Sequence, residues 1–213
     1  ERLVVFNIIV AIVIGYLLGS LPFAYIIARR NKGIDIRQVG SGNVGSLNVF
    51  REVAPILGIT VLVADMAKGV LSVLIARWLG VPLVWVCVAG FAAVAGHNWS
   101  CFLRFTGGKG AATILGVLLP LVPVQFAIGL VISAIVIIIT SNVRLGMIGI
   151  ASIPLTVWLF DKPLLLVCYS LVLFLFLAIR TLLGLKGELA KVGEKKGIIF
   201  DRDYHFWQTK KKK

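Results

Sequence analysis

Apolar and polar positions fall along the chain in long blocks. Leu3 to Ala28 is an apolar run of about 26 residues, closed at once by Arg29, Arg30 and Lys32. It is too long for the core of a secretion signal and predicts a membrane helix. Arg29 to Glu52, rich in Gly, Asn and Ser, is a first polar loop. A second span is expected over Pro55 to Ala76, with Asp65 and Lys68 inside it, and a third over Pro82 to Gly96. His97 to Gly110 is a second polar loop. The apolar run from Ala111 to Thr140 contains Pro120 and Pro123. Proline removes a backbone donor and clashes with the preceding turn, so a short fourth and a longer fifth span are predicted there. After Ser141 to Leu145 a sixth span runs to about Phe160, Asp161 to Pro163 predicts a tight turn, and a seventh span ends near Arg180. The pattern defines an all-α, polytopic integral membrane protein of about seven transmembrane helices. They form one domain over residues 1–183, followed by a basic tail over 184–213.

Composition supports this reading. Of 213 residues 59% are hydrophobic and 15% charged, with a mean hydropathy of +1.00, which excludes an ordinary soluble globule. The 22 basic residues against 9 acidic give a net charge of +13. In a soluble protein this excess suggests a nucleic-acid partner, but topology accounts for it here. The loops after spans one, three and five, together with the tail, hold all the basic residues except Arg2, Arg77, Lys162 and the intramembrane Lys68. Basic residues gather on the cytoplasmic side, so the N-terminus is expected outside and the tail in the cytoplasm, with no nucleic acid required. Tail basics add attraction to anionic headgroups of about 1 kcal/mol each. Cys87, Cys101 and Cys168 lack any metal-ligand spacing and read as packing residues. No metal site and no internal repeat is found.

Three polar features carry candidate chemistry. The first loop reads Gly40-Ser41-Gly42-Asn43-Val44-Gly45-Ser46-Leu47-Asn48-Val49-Phe50-Arg51. Glycines permit turns whose N–H groups point inward as an anion-binding nest. Ser41, Asn43 and Asn48 add neutral donors, and Arg51, three residues after Asn48, brings a phosphate-matching fork. The second feature is Asp65 and Lys68, spaced to share a helix face. Charges kept within a span usually line a polar cavity or pathway, and Asp65 is expected to orient Lys68 toward an anionic substrate. The third is His97 followed by Gly107-Gly108-Lys109-Gly110-Ala111-Ala112-Thr113 at the start of a span. Such a loop presents N–H groups and the positive helix end to an anion. It is not a nucleotide-binding P-loop, because Lys109 is followed by Gly110 in an all-helical setting. His97 is placed to act as acid, base or hydrogen-bond donor. His205, in the tail, reads as incidental. All three features open toward the cytoplasmic side and can converge on one polyanion, with an apolar wall beside it for an acyl chain.

Taken in order, Ser-Gly-Asn-x-Gly-x-x-Asn-x-x-Arg (Ser41 to Arg51), Asp-x-x-Lys-Gly (Asp65 to Gly69) and Gly-His (Gly96, His97) before Gly-Gly-Lys-Gly-x-Ala-Thr (Gly107 to Thr113) resemble the bacterial acyl-phosphate:glycerol-3-phosphate acyltransferase family, PlsY. The similarity spans about Gly19 to Arg180. It implies a multi-pass enzyme of the bacterial plasma membrane with its active site toward the cytoplasm. Such an enzyme moves a fatty acyl group from acyl phosphate to the 1-hydroxyl of glycerol 3-phosphate, giving lysophosphatidic acid and phosphate. It works among membrane lipids and without a cofactor. By analogy Ser41, Gly42, Asn43, Gly45, Asn48, Arg51, Gly107, Gly108, Gly110 and Thr113 hold phosphate. Lys68 and Lys109 neutralise the donor and leaving group, Asp65 orients, and His97 lies near the reacting centre. The His-x4-Asp motif of other glycerolipid acyltransferases is absent, since Phe102 stands five residues after His97. The chain departs from the family pattern at Ser46-Leu47 (usually Ala-Thr), Ser100 (usually Pro) and Thr106 (usually basic). It departs again at Arg144 to Met147 and in Thr181-Leu182-Leu183-Gly184, where the family carries His and Asn. Two other readings are a catalytically degenerate relative, serving as a structural or lipid-binding subunit of a larger membrane complex, and an organic-anion transporter. A transporter often shows two related halves.

Overall fold

The computed structural model describes residues 1–140, 142 and 145–192, with 185–192 as backbone alone. The described elements are helical, apart from one isolated antiparallel bridge between Ser100 and Thr106. The first apolar run is not one helix. It forms α1 (Arg2–Ser20) and α2 (Phe23–Lys32), divided at Leu21-Pro22. Pro22 disfavours helical backbone at the residue before it, and Leu21 turns out of the helix at φ −58°, ψ 116°. α2 ends where Gly33 adopts the left-handed conformation at φ 68°, with Arg29, Arg30 and Lys32 in its last turn. Those cations complement the carbonyl end of the helix.

The first loop begins with a 3-10 turn, Ile36–Gln38, capped by the Asp35 side chain. The guanidinium of Arg37 binds that carboxylate at 2.6 Å, and these hydrogen bonds hold Asp35 below the ordinary carboxylate pKa. Then follow α3 (Ser46–Glu52), α4 (Pro55–Trp78), α5 (Leu83–Asn98), a 3-10 turn at Cys101–Leu103 and α6 (Ala111–Leu121). α7 (Pro123–Thr140), α8 (Met147–Leu159) and α9 (Leu164–Val192) complete the described chain. The break between α6 and α7 falls at Pro123, while Pro120 is accommodated inside α6 near its end. α9 runs past the expected end near Arg180, whereas Arg144 and residues 193–213, with His205 and the terminal lysines, lie outside the described residues.

Arg2–Lys32, Pro55–Trp78, Pro123–Thr140 and Leu164–Gly184 are long and apolar enough to cross a membrane; Leu83–Asn98, Ala111–Leu121 and Met147–Leu159 are shorter apolar helices. Large apolar side chains stand exposed along the long helices, among them Leu3, Phe6, Ile9, Val63, Ile138 and Leu164. Lipid is the solvent that suits them.

The described chain divides into two compact units, one of residues 1–121 with 175–181, the other of the described residues within 122–174 and 182–192. The first is held by small residues at helix crossings. Gly15 and Gly19 lie on the backbone of Ala89 and Ala93, joining α1 to α5, and Gly69 and Gly116 do the same for α4 on α6. A Cβ at any of the four would overlap the opposite backbone, which is how small residues let membrane helices approach closely. In the second unit α7 and α8 run antiparallel through Gly129 and Gly149, with the Ser133 hydroxyl donating to the Gly146 carbonyl at 2.7 Å.

Candidate active site

The whole candidate site lies in the first unit. At its base Lys68 Nζ meets Asp65 Oδ1 at 2.8 Å, each side chain only 3% exposed. A pair buried this deeply needs further hydrogen bonds to offset its lost hydration. The proline break provides one. With α1 interrupted, the Leu21 carbonyl is turned outward and accepts from Lys68 Nζ at 3.2 Å, and the Phe23 ring lies 5.9 Å from the same ammonium. Lys68 is thus held among Asp65, Leu21 and Phe23, and it lines the adjoining cavity. On the other side of Asp65, His97 Nδ1 stands 3.6 Å from Oδ1. A small cavity opens here, lined by Ser20 to Ala24, Val44, Asp65, Lys68, His97, Ser100, Leu103 and Gly107. The Ser20 hydroxyl is buried without a hydrogen-bond partner among the described residues. The Ser100 hydroxyl donates to the Ser20 carbonyl at 2.5 Å and accepts from the Phe102 N–H at 3.2 Å. Ser100 thereby ties the second loop to the end of α1.

The glycine loop is pressed onto His97. Gly108 N–H donates to the His97 carbonyl at 3.1 Å, and a Cβ on Gly108 would overlap His97 Nε2 and stand 2.7 Å from the Val44 carbonyl. Gly107 lies on the carbonyls of His97 and Asn98. Gly110 adopts φ +91°, a conformation suited to glycine. Lys109 is half-buried between these glycines, two residues before α6 begins. One turn further, Thr113 is wholly buried and its hydroxyl has no partner among the described residues. That burial sets it back from the surface where a phosphate contact was expected.

The first loop departs from the expected nest. Asn48 is buried, and its amide donates to the carbonyls of Ile36, Val39 and Asn43 at 3.0–3.1 Å while its oxygen accepts from the Ser41 N–H at 3.1 Å. Gly42 N–H is taken by Val39, Gly45 N–H by Asn43, and Asn43 N–H by the Ser41 hydroxyl. Asn48 therefore organises the loop with all its polar atoms engaged, instead of facing a phosphate. Arg51 is exposed while Asn48 is buried, so the two occupy different environments despite their spacing. Val44 carries the loop to Gly108, bringing the first and third features together at His97.

Sequence reasoning missed the brace behind the glycine loop. Arg180 Nε donates to Asn98 Oδ1 at 2.7 Å, its Nη2 reaches the Gly108 carbonyl at 3.5 Å, and its guanidinium lies 5.0 Å over the Trp99 ring. Asn98 is fully buried and also donates to Val94. Arg180 reads from sequence as a topology charge, because its partner stands 82 residues away. Here it is a positioning residue for the loop that carries Lys109. Lysine keeps the charge but loses the planar fork. R180K and R180Q are both expected to lower kcat about tenfold with an unchanged melting temperature, the effect of a displaced group. Wild-type kcat in R180K would show that charge alone suffices.

The fold and site define a polytopic membrane protein with a glycine loop, a buried ion pair and a histidine gathered around one cavity. Residues 9–186 match the family model described as glycerol-3-phosphate acyltransferase, and the chain belongs to that family. It is 39% identical to glycerol-3-phosphate acyltransferase 1 of Dehalococcoides mccartyi over 90% of this chain and 95% of that protein. With glycerol-3-phosphate acyltransferase 2 of Moorella thermoacetica it shares 42% identity over 80% of this chain and 85% of that one. The crystal structure of PlsY (YgiH), an integral membrane glycerol 3-phosphate acyltransferase, in its glycerol 3-phosphate form superposes with a TM-score of 0.77 at 30% identity. That match covers 88% of this chain and 92% of the other. The lysophosphatidic acid form of the same protein gives a TM-score of 0.76 at 28% identity over 86% of this chain and 92% of the other.

Proposed function

We infer that this protein transfers a fatty acyl group from acyl phosphate to the 1-hydroxyl of glycerol 3-phosphate, releasing lysophosphatidic acid and inorganic phosphate. The observation that carries the reading is the contact of Gly108 with both His97 and Val44. It joins the first and third sequence features, and the approach of His97 Nδ1 to Asp65 adds the second around one cavity, in a member of the glycerol-3-phosphate acyltransferase family. Arg51 and Lys109 meet the phosphates, with Ser41, Asn43 and the first turn of α6 beside them. Asp65 and Lys68 fix the floor, and His97 lies between the floor and the glycine loop. The hydroxyl oxygen attacks the acyl carbonyl carbon, the carbon–oxygen bond to phosphate breaks, and the hydroxyl proton leaves on phosphate. The donor is already activated, so orientation and charge stabilisation carry the step without an acyl-enzyme. The N-terminus faces outside and the site faces the cytoplasm of a bacterial plasma membrane, a placement supported by the distribution of basic residues.

The test is phosphate release from palmitoyl phosphate by the purified protein, with and without glycerol 3-phosphate, beside Lys109→Ala. Release should depend on the acceptor, yield lysophosphatidic acid, and fall about a hundredfold in the variant, as when one charge-stabilising donor is removed. Folded protein with no acceptor-dependent release would instead support a degenerate membrane subunit.

A further inference from the structure

The segment from Trp99 to Thr106 lies outside the α-helices, yet it turns aromatic side chains outward. Phe102 is 57% and Phe105 65% exposed, with exposed Arg104 between them. The segment is a tight knuckle. Leu103 and Phe105 N–H groups donate to the Ser100 carbonyl at 3.1 and 2.8 Å, and the Thr106 hydroxyl donates to the Leu103 carbonyl at 2.5 Å. Leu103 is buried beneath it. Arg104 and Phe105 both adopt left-handed backbone, φ 54° and 57°, which residues with a Cβ rarely take. Such backbone persists where surrounding contacts over-determine it, here the hydrogen bonds that close the knuckle.

The flanking helices set the depth of the knuckle. α5 has 16 residues and α6 has 11, or about 24 Å and 16 Å at the rise of an α-helix. Both fall short of a hydrocarbon core about 30 Å thick, and short segments draw their flanking loops toward the boundary. At that depth aromatic rings meet the headgroup–acyl interface and a cation meets lipid phosphate.

We propose that Phe102, Arg104 and Phe105 form an interfacial anchor that inserts into the lipid surface. Resting on the acyltransferase reading, the anchor holds the adjoining Gly107–Gly110 loop, and with it Lys109, at the level where a membrane-borne acyl phosphate presents its phosphate. Two experiments test it. Phe102→Cys, with the exposed Cys101 and Cys168 changed to Ser and the buried Cys87 kept, is labelled with a polarity-sensitive fluorophore. The protein is reconstituted in vesicles of equal parts phosphatidylcholine and phosphatidylglycerol. Lipids spin-labelled near the headgroup should quench the label several-fold more than aqueous iodide does; the reverse order overturns the proposal. F102S/F105S should raise KM for palmitoyl phosphate about tenfold while leaving turnover of water-soluble butyryl phosphate unchanged. An unchanged KM, or an equal loss on both donors, also overturns it. A wild-type protein without acyl transfer would remove the acyltransferase reading, while the quenching result still decides the anchor.

Discussion

Gly108→Ala is expected to lower turnover about a hundredfold in a protein that still folds and inserts. The reason is steric and specific to this loop. A Cβ at this position overlaps the imidazole Nε2 of His97 and comes within 2.7 Å of the Val44 carbonyl. Val44 is buried, and Gly108 N–H is tied to the His97 carbonyl, so the strain is relieved only by turning the imidazole or lifting the first loop from the glycine loop. Either movement separates groups that meet around one substrate, and a misplacement of about 1 Å costs about two orders of magnitude in rate. Gly33→Ala is the matched control. Gly33 has φ +68°, and nothing lies within 4 Å of the point where its Cβ would stand, so that change carries only left-handed backbone strain, about 1–2 kcal/mol. Steady-state kinetics on both variants, with melting curves alongside, separate the two effects. Wild-type kcat in Gly108→Ala would show that contact between the loops is unnecessary for the reaction.

The sequence made the helical class legible because apolar blocks of membrane length are a coarse signal that survives errors at their ends. Pro22 was visible too, but it stands inside a long apolar run, and its effect appears only in what accepts from Lys68 once the Leu21 carbonyl is turned outward. Asn48 shows why a motif names a residue more readily than its task. The same amide suits a phosphate oxygen or a backbone carbonyl, and only the path of the loop brings Ile36, Val39 and Asn43 within its reach. Glycines 107 and 108 read as an anion cradle, whereas the structure also requires them for close packing against α5. Arg180 was beyond reach for a simpler reason. Its contacts with Asn98 and Gly108 cross 82 and 72 residues, and no local spacing encodes a pairing of that range.

Asp65→Ala is expected to produce the largest loss of stability of any change at the site. It leaves the Lys68 ammonium, 3% exposed, with the Leu21 carbonyl and the Phe23 ring but no paired carboxylate among the described residues. Removing one member of a buried ion pair costs about 3–5 kcal/mol, because the remaining charge is neither hydrated nor paired. The break between α1 and α2 should loosen with it, since Lys68 is what engages the carbonyl freed by Pro22. Replacing both charges by apolar residues of similar volume removes the stranded ion, and such exchanges are often neutral or stabilising. Asp65→Leu combined with Lys68→Met should therefore regain most of the lost melting temperature. It should not regain activity, because His97 Nδ1 then lacks the carboxylate charge that stands 3.6 Å away. Melting temperature and acyl transfer, measured on the single and double variants together, assign the two roles. A double variant that recovers both would make Asp65 a purely structural partner of Lys68, whereas Asp65→Ala with a wild-type melting temperature would show that the pair does not hold the helix break.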